Sequence, residues 1–268
     1  MEDRDFKFYY NEIHPPAGIS HLAGCFFDFT VKSTTTAPIP HEVYPDGCIS
    51  LLYRRNPRLG ITLLLIKGLS LKTFHTEVLA DDVHWGVKFS PAACIRVLRQ
   101  RPEEVQTRPV EDEEILPHLV TGLLEKLNDC RNFKEAAAVY ARLLKGLGIS
   151  SEEIDPKIAE AVGIIEKTKG EMKIAEIAAK VGLSTRQLER RFRECSGLTP
   201  KQFLRVRRLY ATSINVIEEK HLNWADRAAE MGFTDQSHLN REFSTLTGRT
   251  PKSFAEFLEN IEYDELVR

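Results

Sequence analysis

The chain has 268 residues, of which 42% are hydrophobic and 28% are charged, and its formal net charge is −2. This length suffices for two ordinary domains, and the composition excludes a disordered or fibrous protein. The apolar run Leu63–Ile66 is far too short for a membrane span, and the acidic start of the chain is unlike a secretory signal, so we expect a cytoplasmic protein with no membrane partner.

The distribution of charge and the spacing of the cysteines indicate which partners and which cysteine chemistry to expect. Residues 155–255 contain 18 basic and 13 acidic side chains, and residues 184–210 contain eight basic and two acidic ones. Such a local excess is compatible with a polyanionic partner, although charge runs are more often solvated surfaces. The five cysteines are widely spaced without a Cys-x-x-Cys pair, so we expect reduced, mostly buried thiols rather than disulfides or structural zinc.

The N-terminal part of the chain has the pattern of β-structure. Short segments rich in aromatic and β-branched residues are separated by turn residues, which predicts a small antiparallel barrel or sandwich. The predicted strands are Cys25–Val31, Cys48–Tyr53, Ile61–Ile66 and Val83–Phe89. After Pro91 the pattern predicts helices near 92–99, 113–128 and 132–147. We therefore expect a β-rich domain with C-terminal helices over 1–150 and a helical domain over 155–258.

An internal repeat is the strongest signal in the helical part. The segment Ala178–Leu183 (AAKVGL) matches Ala228–Phe233 (AAEMGF) at an offset of 50. The positions that follow match at an offset of 51, so one residue is inserted in the turn region of the second copy. These later pairs are Leu188 with Leu239, Arg190 with Arg241, Phe192 with Phe243, and Gly197–Phe203 with Gly248–Phe254. A repeat of this kind indicates a duplicated structural unit.

Each copy has the features of two helices that meet at a tight turn. The paired alanines allow close helix packing, and Gly182 or Gly232 supplies the turn, where a positive φ costs a glycine little. Ser184 and Gln187 form a capping-box pattern at the start of the following helix. Other predicted caps are Asp235 or Thr234 in the second copy, and Thr199 with Pro200 at the next helix.

The outward face of the capped helix carries side chains that suit DNA bases. Arginine can bind guanine bidentately and glutamine or asparagine can bind adenine, and a helix with such groups fits the major groove. The candidates are Arg186, Glu189, Arg190 and Arg193 in the first copy, and Gln236, Ser237, Asn240 and Arg241 in the second. A solvated helix face would use the same residue types, but its duplication favours DNA binding.

A predicted helix at about 201–218 follows the first copy and would join the two copies rigidly. We expect its buried face to comprise Phe203, Val206, Tyr210, Ile214 and Ile217. Its basic residues are candidates for phosphate contacts, with Glu194, Glu218 and Glu219 as alternative partners: Lys201, Arg205, Arg207 and Arg208. Two units on such a linker would read successive major-groove segments of one DNA duplex.

On these residues, the chain over 156–255 resembles the AraC-type DNA-binding domain. The matching stretches are IAEIAAKVGLSTRQLERRF (174–192), SGLTPKQF (196–203), GFTDQSHLNREF (232–243) and TGRTPKSF (247–254). The resemblance implies an all-α domain of seven helices with two recognition helices, whose base-reading positions fall among the candidates above. Trp224 departs from the smaller residue usual in the family, and we interpret it as a core residue.

The N-terminal part is similar to the small cupin-like domain fused to some AraC-type regulators. The similarity rests on YPDGCISLLY (44–53), WGVKFSPAA (85–93) and an acidic helical segment near 110–118. The predicted class is therefore α+β, a cupin-like barrel or sandwich followed by the helical domain. The implied partners are double-stranded promoter DNA, RNA polymerase, and either a small-molecule effector or a second copy of the chain. The operator, the effector and the sign of regulation stay open.

Two other functions compete for the N-terminal domain. A cupin-like metal enzyme needs two or three histidines and a carboxylate around the metal, whereas His21, His41, His75 and His84 include no His-x-His pair. His41 and His84 can still converge, but we expect no catalytic residues, no metal and no cofactor. A domain that only dimerises is the second alternative. A ligand sensor would instead enclose an apolar pocket, for which the candidates are Phe27, Phe29, Tyr53, Trp85 and Phe89.

Overall fold

The computed structural model of the protein describes residues 6–110, 116–258 and 261–263. Within these ranges the N-terminal part is rich in strands and the C-terminal part is helical, as the predicted α+β class requires. The strands are β1 (Phe6–Ile13), β2 (Ala23–Ser33), β3 (Ile39–Val43), β4 (Ser50–Asn56), β5 (Ile61–Lys67), β6 (Phe74–Val78), β7 (Val83–Phe89), β8 (Arg108–Pro109) and β9 (Ile261–Tyr263).

The strands form one large sheet and one small ribbon. The large sheet has the order β8-β5-β4-β7-β2-β1-β9, with antiparallel neighbours except for the parallel pair of β1 and β9. Strands β3 and β6 pair with each other in the ribbon. Side chains alternate across β4, where Leu51 and Tyr53 are fully buried in the main core while Leu52 and Arg54 line a cavity on the other face. The two faces of the sheet therefore have different roles.

The four predicted strands are confirmed as β2, β4, β5 and β7, and three longer ones were missed. Strand β7 has the predicted bounds Val83–Phe89, while β4 begins two residues later than predicted, at Ser50. The missed longer strands are β1, β3 and β6, and the short strands β8 and β9 were missed as well. Strand β3 contains Pro40, a residue that argues against a strand interior but is tolerated at a sheet edge such as this two-stranded ribbon.

Four α-helices follow the strands: α1 (Cys94–Leu98), α2 (Pro117–Val120), α3 (Leu123–Asn128) and α4 (Phe133–Gly146). The prediction of one helix over 113–128 is wrong in its described part, because Gly122 adopts a φ of +63° and separates α2 from α3. Residues 111–115, which include most of the acidic segment, lie outside the described residues. Helix α4 packs on the sheet, where the Tyr140 hydroxyl donates a 2.9 Å hydrogen bond to the carbonyl of Trp85.

The C-terminal part consists of α5 (Pro156–Lys167), α6 (Ile174–Lys180), α7 (Thr185–Ser196), α8 (Pro200–Glu218), α9 (Trp224–Glu230), α10 (Gln236–Thr247) and α11 (Pro251–Leu258). The described residues after 155 thus contain the seven helices that the family resemblance implies. None of the helices in the described ranges has both the length and the apolar character needed to cross a membrane. All five cysteines are unpaired, and Cys195 is the one that is partly exposed.

The helical part is divided between two hydrophobic cores. The main core extends without interruption from Ile19 to Leu204, so it joins the sheet and α1–α4 to α5–α7 and the start of α8. A second core begins at Leu209 and comprises the remainder of α8 with α9–α11. Helix α8 therefore contributes to both cores, one at each end.

Candidate nucleic-acid interface and interior cavity

The two predicted units have the same backbone geometry. The first unit, α6 and α7, turns at Gly182 with a φ of +63°, and the second unit, α9 and α10, turns at Gly232 with a φ of +68°. After each glycine the next amide donates a 2.9 Å hydrogen bond back to the helix, from Leu183 to Ala178 and from Phe233 to Ala228. The sequence repeat is therefore a repeat in three dimensions.

Side-chain caps fix the start of the second helix in each unit. The Ser184 hydroxyl accepts from the amide of Gln187 at 3.3 Å, and the Gln187 side chain accepts from the amide of Ser184 at 2.9 Å. In the second unit the Asp235 carboxylate accepts from the amide of His238 at 2.7 Å. Asp235 is thus the cap, and Thr234 is the extra residue in the turn.

Both second helices bury one face and expose the other. Leu188 and Phe192 of α7, and Leu239 and Phe243 of α10, are completely buried. All eight candidate base-reading side chains are exposed: Arg186, Glu189, Arg190, Arg193, Gln236, Ser237, Asn240 and Arg241. Arg190 forms an ion pair with Glu194 at 2.9 Å. Because both partners are exposed, the pair contributes little and leaves Arg190 available to another acceptor.

The basic residues of α8 have mostly internal partners. Lys201 is exposed, whereas Arg205 pairs with Glu242 of α10 at 2.7 Å and Arg207 stacks on the ring of Tyr210 at 4.7 Å. The glutamate in the Arg205 pair is Glu242, which the sequence analysis did not name. Of these residues, Lys201 is the one that the structure leaves open to a phosphate, while DNA contact by Arg205 stays a prediction.

Arg208 connects the second unit to the turn that precedes the first. Its guanidinium donates to the carbonyl of Gly170, with distances of 2.6 and 3.0 Å, and to the carbonyl of Gly232 at 3.3 Å. Gly170 ends the turn after α5, and Gly232 is the turn of the second unit. A Cβ atom at Gly232 would lie 2.8 Å from the side chain of Glu171, so the two turns are also in close contact. Arg208 therefore links the second unit to the segment that leads into the first.

A cavity of about 390 Å³ lies between the large sheet, the β3–β6 ribbon and the helices α8 and α11. Its lining is mostly aromatic and aliphatic, and it includes Phe27 and Phe29 as predicted. The prediction is wrong for the other three aromatic candidates, which lie on the opposite face of the sheet in the main core: Tyr53, Trp85 and Phe89. Side-chain alternation along β4 and β7 places them there.

Helix α8 forms part of the cavity wall. Tyr210, Ile214 and Ile217, which were predicted to be buried core, line the cavity together with Leu209 and Ser213. The Tyr210 hydroxyl donates a 3.0 Å hydrogen bond to Glu12 of β1. Glu12 also accepts from the buried ammonium of Lys88 at 2.7 Å. Burial acts to raise the pKa of Glu12, but the charge of Lys88 and the hydrogen bonds from Lys88, Tyr10 and Tyr210 together lower it.

Two histidines of the cavity wall contact the Phe29 ring. The ring centroids are 4.7 Å apart for His41 and 5.6 Å apart for His84. Burial lowers the pKa of each imidazole to about 4, so both are uncharged at neutral pH. Within the described ranges, no three histidine, cysteine, aspartate or glutamate side chains are grouped so that they could hold a metal ion.

A polar contact attaches the second unit to the ribbon. The Arg249 guanidinium donates to both carboxylate oxygens of Glu42, at 2.6 and 2.7 Å, and the Tyr44 hydroxyl donates to the same carboxylate at 2.5 Å. Nearby, the amide of Thr73 donates to the carbonyl of Leu246 at 3.0 Å. The sequence analysis did not foresee this contact, because Glu42 and Arg249 are 207 positions apart.

Comparison with known proteins agrees with the paired units. The sequence profile of a helix-turn-helix domain matches residues 177–256, which include the second unit and all but the first three residues of the first. The probable transcription factor PqrA of Proteus vulgaris is 33% identical over 92 residues, which are 34% of this chain and 74% of that protein.

Solved structures with similar chains include ToxT and the C-terminal domain of AraT. ToxT from Vibrio cholerae O395 is 10% identical with a TM-score of 0.45, over 96% of this chain and 99% of that one. The C-terminal domain of AraT, a response regulator from Geobacillus stearothermophilus, is 17% identical with a TM-score of 0.36, over 38% of this chain and 86% of that one. On the sequence matches and the two capped helix-turn-helix units, the chain belongs to the AraC-type family of transcription regulators.

Proposed function

We propose that this regulator reads a specific promoter sequence with α7 and α10, and that a ligand in the interior cavity changes how it does so. The observation that supports both parts is the position of α8. This one helix joins the two units, since Phe203 packs on Phe192 of the first unit and Arg205 and Arg208 bond to the second. It also forms one wall of the cavity.

The DNA-reading step depends on two exposed polar faces at a fixed separation. Helix α8 has 19 residues, and at a rise of about 1.5 Å per residue it is roughly 28 Å long. That length is comparable to the spacing of about 34 Å between successive major-groove segments on one side of DNA. Arg190 and Arg241 are the residues we assign to guanine, and Gln236 and Asn240 to adenine.

The coupling step depends on the cavity wall. Leu209, Tyr210, Ser213, Ile214 and Ile217 face the cavity from α8, while Phe254 and Phe257 face it from α11. A molecule that binds there contacts the sheet and α11 at once, and Phe254 of α11 packs on Phe243 of the second unit. The molecule therefore stabilises one arrangement of the second unit over others, which shifts the population that can bind DNA. Contact with RNA polymerase and formation of a homodimer stay predictions.

The test of DNA reading starts with selection of bound duplexes from fragmented genomic DNA. On the selected site, Arg190→Ala and Arg241→Ala should each weaken binding by about 1–3 kcal/mol, which is roughly 5- to 150-fold. Arg58→Ala is the matched control, because Arg58 is an exposed arginine in the turn between β4 and β5. Unchanged affinity in both recognition-helix variants, measured by fluorescence anisotropy, would remove α7 and α10 as the reading helices.

The test of coupling fills the cavity from α8. Ser213→Leu adds an apolar side chain to the cavity wall, whereas Ser213→Ala removes the hydroxyl without filling space. We expect Ser213→Leu to change the affinity for the selected duplex by at least about threefold and Ser213→Ala to leave it unchanged. Equal affinities for the leucine variant and the wild type would contradict the coupling while leaving DNA reading intact.

A further inference from the structure

We infer that the cavity binds an uncharged amphiphile, a molecule with an apolar body of about ten carbons and one hydroxyl or carbonyl head group. This inference rests on the proposed ligand-binding function and specifies the chemical class of the ligand. It depends on the charge balance of the cavity wall, on the unpartnered polar atoms that line it, and on its volume.

The charged groups of the wall are already paired within the protein. Every acidic or basic lining residue except Glu77, which is exposed, has a partner of opposite charge within 2.7 Å. The pairs are Glu42 with Arg249, Asp46 with Lys67, Arg54 with Asp82, and Lys88 with Glu12. A charged ligand would therefore enter without a counter-charge or would break a pair, and either costs several kcal/mol in a buried site.

The neutral polar groups of the wall, in contrast, are not all satisfied. Ser50 is completely buried, and its hydroxyl has no hydrogen-bond partner among the described residues. The same holds within those ranges for the Nδ1 atoms of His41 and His84. All three residues line the cavity. Because a buried polar atom without a partner is costly, a ligand hydroxyl or carbonyl that reaches one of them gains a hydrogen bond at little desolvation cost.

These polar atoms lie at opposite ends of an apolar stretch. Ser50, Leu52 and Arg54 follow each other on the cavity face of β4, and His84 is the register partner of Arg54. At about 3.3 Å per residue, Ser50 and Arg54 are roughly 13 Å apart along the strand. A volume of about 390 Å³ holds roughly a dozen non-hydrogen atoms at the ~30 Å³ that a water molecule occupies in the liquid. A chain of about ten carbons with one head group fits both dimensions.

The experiment compares three probes that share one chain and differ in charge: decan-1-ol, decanoate and decylammonium. Each is titrated into the full-length protein at pH 7 by isothermal calorimetry, the two ions below their micelle concentrations and the alcohol below its solubility limit. We expect decan-1-ol to bind at least about tenfold more tightly than either ion. Ser50→Ala and the double variant His41→Leu with His84→Leu are then titrated with decan-1-ol, and at least one should lose about fivefold, since one neutral hydrogen bond contributes about 1 kcal/mol.

Ser20→Ala is the matched control, because Ser20 is exposed and is not among the residues that line the cavity. Tighter binding of decanoate or decylammonium, or no binding of decan-1-ol, would overturn the inference. Two variants with unchanged affinity for decan-1-ol would also overturn it, because the head group would then bind elsewhere. The proposed function is judged separately by the effect of Ser213→Leu on DNA affinity, which requires none of these probes.

Discussion

The two helix-turn-helix units have nearly the same local structure, but they are attached to the rest of the protein in different ways. The first unit shares its hydrophobic core with the sheet, because Phe192 packs on Phe203, and Phe203 lies against Gly47 of the sheet region. The second unit has its own core and reaches the ribbon through Tyr44 and the ion pair of Glu42 with Arg249. The first unit is therefore part of the core of the sheet, while the second is joined to the ribbon through a separate set of contacts.

One repeat position shows how the difference arises in the sequence. Ile177 of the first unit is completely buried in the main core, and its counterpart at an offset of 50 is Arg227. Arg227 is also buried, but its guanidinium donates to the carbonyls of Glu219 and Leu222 and to the side chain of Asn215. The isoleucine at this position packs in the main core. The arginine instead forms hydrogen bonds with residues at and just after the end of α8. At this position the second unit is thus held by hydrogen bonds rather than by apolar packing.

The largest effects are expected when one buried aromatic ring is removed from either core. Phe203→Ala removes a completely buried ring from the main core and should lower the free energy of unfolding by about 3–5 kcal/mol, as measured by urea denaturation. Phe254→Ala should lower the free energy of unfolding by a similar amount, but the destabilised part should be the second core alone. Hydrogen exchange should then rise throughout the sheet and α5–α7 for the first variant, and in α9–α11 for the second. Equal exchange profiles would show that the two units unfold together.

The cavity histidines and the ion pair of Glu42 with Arg249 should lose their contributions to stability in different pH ranges. The pKa of both His41 and His84 is lowered by burial to about 4, so the unfolded chain binds more protons between pH 6.5 and 4, and stability falls as the pH drops through this window. At pH 5 each histidine should cost about 2 kcal/mol. Glu42 is stabilised in its charged form by Arg249 and Tyr44 against the effect of burial, so its contribution is present above pH 4.5 and is lost only below it.

Urea midpoints at pH 7, 6 and 5 test this order. His41→Gln should roughly halve the decline between pH 7 and 5, and Arg249→Ala should leave that slope unchanged. His84 also faces Asp82 and Arg54, which form an ion pair with each other, so its response is less isolated than that of His41. The same slope in His41→Gln as in the wild type would contradict the assignment of the acid sensitivity to the cavity histidines.

The sequence predicted those parts of the structure that depend on residues close together in the chain. The Ser184 cap and the Gly182 turn involve partners within about five positions, so the pattern alone determines them. The same reasoning located α7 and α10 and their exposed faces. Contacts between distant segments were not predicted: the pair of Arg205 with Glu242 and that of Arg249 with Glu42 are visible only in the folded chain.

Only part of the cavity lining was predicted, for a related physical reason. Period-2 alternation shows that a strand has two faces, but it does not say which face meets a helix layer and which meets an open space. Phe27 and Phe29 fall on the cavity side, and Tyr53 and Trp85 on the side covered by α4. The predicted boundary between 1–150 and 155–258 stays a prediction, and the main core continues across it.

A smaller effect is expected when the second unit is released from the ribbon. Arg249→Ala removes both hydrogen bonds to Glu42 and should lower the free energy of local opening of α9–α11 by about 1–2 kcal/mol. Amide exchange in these helices should become roughly 5- to 30-fold faster by mass spectrometry, while exchange in α5–α7 stays the same. Arg58→Ala serves as the control. Faster exchange in both units would mean that the ion pair stabilises the whole molecule rather than one attachment.

The smallest effect concerns the orientation of the units. Arg208→Met keeps the apolar stem and removes the hydrogen bonds to Gly170 and Gly232, so the two units should become free to tilt relative to each other. Affinity for the complete selected site should fall about fivefold, because about 1 kcal/mol of binding free energy is lost when the units are no longer held in orientation. Affinity for a duplex with a single half-site should stay unchanged.

We expect the opposite pattern for Lys201→Met, because Lys201 is exposed and is our candidate for a phosphate contact. It should weaken binding to complete and half-sites by the same factor and reduce the slope of log affinity against log salt by about one. If Arg208→Met instead weakens both duplexes equally and lowers the salt slope, Arg208 exchanges its carbonyl partners for a phosphate on binding. The fixed orientation of the two units would then be a property of the free protein alone.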